Sequence, residues 1–488
     1  MAAAGELALT FDDVTLATQY ADFLPSETAL DTRLTRSIKL NIPFVSSAMD
    51  TVTEARMAIE MARLGGIGVI HRALAPAAQA KHVARVKHYL NGLITDPIVF
   101  NENKTVDDVL NIREDKGYKF RGFPIVNNEG IVTGILTSRD IRFLARTNVK
   151  IATVMTRNVV TAPPSTTLEQ AFTIMRTHKI GKLPIVKDGK LTGLYSYTDV
   201  RTIIEGIEPF INRDANHQLR VAAAIGTRDH ERVDLLAKGH VDAVVVDTAH
   251  GHSKGVIEMV KWVKKHYPAV DVVAGNIATA DGAAALMKAG ADAVKVGVGP
   301  GSICTTRVTA GVGIPQITAV YLASRAVKDE IPVIADGGVR YSGDVPKALV
   351  AGASCVMMGS ALAGTDESPG EKIIHQGRQY VVYRGMGSLG AMMVSESSRE
   401  RYAQHDVHGT DKLVPEGIEG LVPYAGTVEG VIQQFIGGLR SSLGYNGCKS
   451  VEDLRHKGIF HRITAAGVRE AHPHDVLITK EAPNYRSQ

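Results

Sequence analysis

The 488-residue sequence predicts an α/β fold: a (β/α)8 TIM barrel with a tandem-repeat domain inserted between its second and third strands. Two observations predict it. Eight short apolar runs recur along the chain, most followed by a helix-like stretch, and continuous apolar strands alternating with helices indicate a parallel sheet covered on both faces. A long interruption after the second run contains an internal duplication.

The runs are PFVSSAM (43–49), GIGVIH (66–71), RVAAAIG (220–226), DAVVVDT (242–248), DVVAGN (271–276), AVKVGVG (293–299), PVIADGG (332–338) and SCVMMGS (354–360). TEARMAIEMARLGG, ATADGAAALMKAG and SGDVPKALVAGA are typical of the helical stretches between them. In the interruption, FPIVNNEGIVTGILTSRDIR (123–142) matches LPIVKDGKLTGLYSYTDVR (183–201) at an offset of 60 residues that falls to 59. Each half reads as strand, turn, strand, then Ser/Thr-x-x-Asp opening a helix. The expected organisation is a first barrel part over 1–91, the insertion over 92–205 and the second barrel part over 206–488. The insertion resembles a pair of cystathionine-β-synthase (CBS) motifs, a nucleotide-binding module in which the Asp commonly holds a ribose. Thr137, Asp140, Ser196 and Asp199 therefore have two readings, helix caps or contacts to a regulatory purine nucleotide.

Composition narrows the classes. Hydrophobic residues make up 44% and charged residues 22%, which fits an ordinary globular chain, and the net charge of +4 without a dense basic run gives no argument for nucleic acid. Acids stand where a signal peptide would be apolar, and no apolar run approaches the roughly 20 residues that span a bilayer. A cytoplasmic protein without membrane partners is expected. Cys304, Cys355 and Cys448 are odd in number and lack CxxC spacing, which speaks against a disulfide framework or a zinc knuckle.

Barrel enzymes carry their reactive groups at the C-terminal ends of the strands. Here those ends are polar: Asp247 after the fourth, Asn276 after the fifth, Asp336-Gly337-Gly338 after the seventh and Gly359-Ser360 after the eighth. Glycines after strands seven and eight are where this fold commonly binds phosphate through backbone N–H groups, although such glycines also simply make turns. After the sixth strand, GPGSICTTRVTAGVG (299–313) sets Cys304 among Ser302, Thr305, Thr306 and Arg307, poor core formers. Cys355 reads as a buried filler; Cys304 reads as a nucleophile, with Arg307 near enough to favour a thiolate. Gly297, Gly299 and Gly301 allow a loop that turns carbonyls toward a cation. RGMGSLGAM (384–392) leads into a long polar stretch, 395–426, expected to be a mobile functional loop or linker, with His405 and His408 solvated.

GVGPGSICTTRVTAGVGIPQ, IADGGVRYSGDVPKAL, YRGMGSLGAM, KLVPEGIEGLVPY, LTFDDVTL and VSSAMDTVTE together resemble the signature segments of the inosine-5′-monophosphate (IMP) dehydrogenase family, essentially from end to end. The resemblance implies oxidation of IMP to xanthosine monophosphate (XMP) with NAD+ on a K+-activated homotetramer, with pairing into octamers left open. Cys304 would attack purine C2 to give a covalent thioimidate that water hydrolyses. Carried onto matching positions, Ser47, Asn276, Ser302, Asp336, Gly338, Gly359, Ser360, Tyr383, Gly385, Met386 and Gly387 would hold IMP, with Glu416 at the purine edge. Asp247, Gly297 and Gly299 would lie on the cofactor side. Residues about 393–422 would be a mobile flap bringing Arg401 and Tyr402 to the hydrolytic water, with Thr306 and Glu416 as a second proton relay. The cation would take carbonyls of Gly299, Gly301 and Cys304 together with Glu470, Ala471 and His472 of a neighbouring subunit. One departure is Ala48, where many members have proline. The rivals are GMP reductase, which shares barrel and cysteine but needs no hydrolytic flap, and a nucleotide-sensing protein without catalysis. Arg401-Tyr402 and KLVPEGIEG speak against the first; intact Cys304, Thr306, Arg401 and Glu416 speak against the second.

Overall fold

A computed structural model of the chain describes residues 7–89, 92–94, 97–115, 122–206, 210–407 and 409–485. All eight apolar runs are strands of one closed parallel barrel. They are β1 (Phe44–Ser46), β2 (Ile67–Ile70), β3 (Ala222–Ile225), β4 (Ala243–Asp247), β5 (Asp271–Ile277), β6 (Ala293–Val296), β7 (Val333–Asp336) and β8 (Cys355–Met358). Neighbours follow chain order, and the ring closes where Val356 of β8 stands opposite Phe44 of β1. β2 and β3 pair directly, Val69 with Ala222 and Ile70 with Ala223, although the insertion separates them in sequence.

The strand sequences explain this closure. Every residue of β2 through β6 is buried, since one face fills the barrel and the other meets the helices. Val69, Ala222, Ala224, Val245, Val273, Cys355 and Met357 share the interior, which Leu34, Ile38 and Leu40 join. Ser37 donates to Asp271 at the start of β5 at 2.5 Å, so this plug lies at the N-terminal end of the strands. Cys355 is the filler its sequence suggests: it is fully buried, and burial pushes its thiol far above the ordinary range. A connecting helix shows the local logic. Thr279 Oγ1 accepts the Gly282 amide at 3.2 Å to start Ala280–Ala289, and Gly290 ends it at φ +102°.

The chain forms two compact units, the second comprising residues 88–209 and 213–219. Within it, Gly122–Val126 pairs antiparallel with Val132–Thr137, and Lys182–Lys187 with Lys190–Ser196. Both hairpins shift register at matching places, Ile125/Val126 and Ile185/Val186. Each is followed by a helix, Ser138–Arg142 or Tyr197–Ile204. Thr137 caps the first, with Asp140 Oδ2 accepting from its amide and hydroxyl, both at 2.7 Å. Ser196 is buried and makes no side-chain cap, so the two halves differ here.

In the first unit, β9 (Lys372–His375), β10 (Arg378–Arg384) and β11 (Glu419–Pro423) form a small antiparallel sheet. The polar stretch expected to be loop therefore carries a strand, β11, and a helix, Glu396–Arg401. It lacks a hydrophobic period because its side chains meet charged strand ends instead of a core. Among the described residues no helix is long and apolar enough to cross a membrane.

Candidate active site

The loop after β6 is held by backbone pairing with the segment before β11. Thr305 N donates to Glu416 O at 2.9 Å, Ile418 N to Ile303 O at 3.0 Å, and Cys304 stands opposite Gly417 in an antiparallel bridge. Glu416 N in turn donates to Gly387 O at 3.0 Å, and Gly385 N to Ile418 O at 2.9 Å. Cys304, Thr306, Glu416 and the 385–387 turn thus converge from three distant parts of the sequence. The Cys304 sulfur, partly exposed, lies 3.2 Å from the buried Thr306 hydroxyl. Arg307 donates to the carbonyls of Val298 at 3.0 Å and Ile314 at 2.7 Å, so it clamps the loop. Burial pushes its guanidinium below the ordinary range and the nearby Cys304 sulfur counters, an electrostatic link and not a contact.

Behind the cysteine lies a charge cluster that the strand ends assemble. Asn276 Nδ2 donates to Gly297 O at 2.8 Å and to Asp336 Oδ2 at 2.9 Å. Lys295, 2% exposed, reaches Asp336 Oδ2 at 2.5 Å and Asp247 Oδ1 at 3.1 Å, and also bonds the Asn276 amide oxygen. Gln316 Nε2 bonds Val296 O at 2.9 Å and Asp336 O at 3.2 Å, fixing β6 and β7 at this level. Lys295 and Gln316 escaped the sequence reading. Lys295 has a signal there, one charge inside the apolar run AVKVGVG; Gln316 has none.

The ends of β6 to β8 line a narrow cleft whose walls include Gly301, Ser302, Gly337, Gly338, Gly359, Ser360 and Tyr383. Ser47 and Tyr383 border it: a Cβ added at Gly359 would lie 2.8 Å from the Tyr383 hydroxyl and 3.2 Å from Ser47 Oγ, so this approach requires glycine. Ser47 Oγ is buried and has no partner. Burial holds the Tyr383 hydroxyl well above its usual range, with a hydrogen bond from Ser302 opposing and Asp336 and Cys304 adding to the rise. Arg384 beside it binds Asp50 through two nitrogens, Nε at 2.9 Å and Nη2 at 2.5 Å, tying the turn with Gly385, Met386 and Gly387 to the loop that follows β1. Ala48 in that loop is buried.

The helix Glu396–Arg401 docks over the other side. Arg401 pairs with the free oxygen of Asp247, and Ala249 N donates to Arg401 O at 3.1 Å. The Tyr402 ring packs on Gly387. Burial pushes the Arg401 guanidinium below its ordinary value; Tyr402 pulls it back and Arg72 adds repulsion. The Asp247 carboxylate also favours the charged form. Burial raises the Tyr402 hydroxyl, opposed by Arg401.

One expectation changes. His405 is only partly exposed and its Nε2 lies 3.0 Å from Asp406, so it is not a freely solvated side chain; His408 lies outside the described residues. Among the described residues, Glu470, Ala471 and His472 make no hydrogen bond to the 299–304 turn of their own chain. His472 instead bonds the Tyr485 hydroxyl at 3.0 Å in a separate cavity of about 310 Å³ bordered by Asp12 and Tyr341. No group of three or more His, Cys, Asp or Glu suited to a metal occurs among the described residues.

A model of the IMP dehydrogenase / GMP reductase domain matches residues 8–474. The chain is 53% identical over 484 residues to inosine-5′-monophosphate dehydrogenase of Aquifex aeolicus, covering 98% of this chain and 97% of that protein. It is 50% identical over 481 residues to the protein of the same name in Helicobacter pylori, covering 98% of each. Among solved structures it is similar to a cysteine-to-alanine variant of GMP reductase from Trypanosoma brucei in complex with guanosine 5′-monophosphate. That match has a TM-score of 0.88 and 38% identity, covering 97% of this chain and 99% of the other.

Proposed function

The chain belongs to the IMP dehydrogenase / GMP reductase family, and we propose that within it this protein is the dehydrogenase, converting IMP, NAD+ and water to XMP and NADH. The observation that carries this reading is Arg401 on Asp247 with Tyr402 on Gly387, whose carbonyl holds Glu416 N next to the Cys304–Gly417 bridge; in this reading the two residues would handle the hydrolytic water. The relatives named for the same activity, identical at half their positions, support it.

The residues fit a nucleotide substrate. The unpartnered Ser47 Oγ and the bare face of Gly359 leave room and a donor for phosphate, with Ser302, Gly338 and Ser360 alongside. Asp336, held by Lys295 and Asn276, presents a carboxylate to ribose hydroxyls. Tyr383, Gly385, Met386 and Gly387 complete the cradle, and Glu416 approaches the purine edge. Asp247, Gly297 and Gly299 would lie on the cofactor side, where bound NAD+ would supply the hydride acceptor.

This chain's groups do the rest. The Cys304 thiolate adds to purine C2, and loss of hydride from that carbon leaves a C2–S thioimidate. Water then adds at C2 as Arg401, with Tyr402 beside it, takes its proton, and the C2–S bond breaks to return the cysteine and release XMP. Exclusion of water around a buried arginine makes this unusual base workable. Thr306, 3.2 Å from the sulfur, and Glu416 would be a second proton route.

The carbonyls of Gly299, Gly301 and Cys304 are hard donors without carboxylate charge, which suits K+ better than a divalent ion. Gly301 O already accepts from Cys304 N at 3.0 Å, curling the turn. Glu470, Ala471 and His472 would complete such a site from another subunit, making a homotetramer part of the active centre. Residues 92–205 would be a regulatory CBS pair, with Thr137, Asp140, Ser196 and Asp199 toward purine nucleotides. The three free thiols support residence in a reducing cytoplasm.

NADH formation from IMP and NAD+, set against NADPH consumption with GMP, tests the reading. The likeness to a GMP-bound reductase makes that second arm necessary.

A further inference from the structure

Arg72, immediately beyond β2 and its following histidine, is 4% exposed at the C-terminal mouth of the barrel. Its Nη1 lies 2.7 Å from Glu400 Oε2, and Thr227 donates to the other oxygen of Glu400 at 3.2 Å. Glu400 is the residue before Arg401 on the docked helix. Space for this approach depends on Gly226, where a Cβ would lie 2.3 Å from Arg72 Nη1 and 2.7 Å from Glu400 Oε2. The remaining neighbours are charged. Asp229 lies 3.7 Å from Arg72 and 3.1 Å from Arg232, so one carboxylate serves two guanidinium groups until Glu400 arrives. Arg72 Nη2 is buried without a partner even so. A guanidinium left with half a counter-charge in a site this dry is costly, and docking Glu400 relieves it.

We propose that Arg72 and Glu400 are positioning residues that latch the Arg401 helix onto the barrel, and that the strength of this pair sets how the enzyme divides between the hydrolytic and the cofactor-binding arrangement. The proposal rests on the functional reading above, in which the docked Arg401 takes the Asp247 carboxylate on the cofactor side. The two arrangements then exclude each other, so whatever weakens docking favours dinucleotide binding by the same factor while docking predominates. Neither residue touches the reacting atoms; both act through Arg401.

The test uses Glu400→Gln, Arg72→Met and the double variant in the full-length protein. Stopped-flow absorbance with IMP and NAD+ reads the NADH burst and the steady state separately. NADH is also titrated with IMP present, a pair that cannot react. Each single variant keeps the burst rate, loses about tenfold in steady-state turnover and binds NADH more tightly by a similar factor. The double variant is no worse than either single, because one interaction is removed. Unchanged turnover and NADH affinity in Glu400→Gln would overturn the latch, as would a slowed burst with unchanged NADH affinity, the mark of a general structural defect. If the unmodified protein makes no NADH from IMP, the functional reading fails, and the NADH titration still judges the latch.

Discussion

The ammonium of Lys295 lies 3.1 Å from the Asp247 carboxylate, whose other oxygen is held by Arg401. One buried cation thereby joins the carboxylate that meets the docked helix to Asp336, which it reaches at 2.5 Å. Replacing it with Lys295→Met leaves Asp336 without its counter-charge and Asp247 with Arg401 alone. Stability should fall by about 3–5 kcal/mol, measured by denaturant unfolding, and IMP affinity should fall with it. Wild-type stability in this variant would show that the cluster is solvated and not a buried network.

Cys304→Ala removes the attacking sulfur and little else. Turnover should vanish while calorimetry still detects IMP, because the phosphate and ribose contacts are intact. NADH production at the normal rate would sink the covalent mechanism.

Arg401→Ala should separate the two chemical halves. Loss of a general base costs about 10²–10⁴-fold in the step it serves, so hydrolysis slows by that order while the NADH burst persists. Loss of the burst itself would move Arg401 to the redox half.

The pH dependence follows from the burial of Arg401. A guanidinium shifted downward is neutral in a larger fraction of molecules at any given pH, and only the neutral form accepts a proton from water. Hydrolysis-limited turnover should therefore rise with pH on the alkaline side, and the rise should disappear in Arg401→Gln. An identical profile in the variant would assign the base elsewhere, Thr306 and Glu416 first.

If residues 92–205 are a regulatory module, calorimetry with ATP, GDP and GTP should detect binding that Asp199→Ala weakens. Heat of binding absent for all three nucleotides would remove the proposal.

The barrel was legible because its strands are apolar on both faces and so stand out from their surroundings without any tertiary information. Cys355 as filler was legible for the same reason. The site was legible in its parts, since Asp247, Asn276 and Asp336 end apolar runs and Cys304 sits in a polar loop. What joins those parts was not. The pairing of Ile303 with Ile418 and of Asp50 with Arg384 spans distances in sequence that no local pattern records. The helix Glu396–Arg401 stayed hidden because its order comes from Asp247 at the end of β4 and Arg72 in the loop after β2, and an isolated six-residue helix has no stability of its own.

The most direct test of the central claim is absorbance at the NADH band with purified protein, K+, IMP and NAD+, run beside GMP with NADPH. IMP-dependent growth of NADH, with no NADPH consumed on GMP, is the predicted result. Consumption of NADPH with GMP and no NADH from IMP would make the chain a reductase and contradict the hydrolytic role of Arg401 and Tyr402.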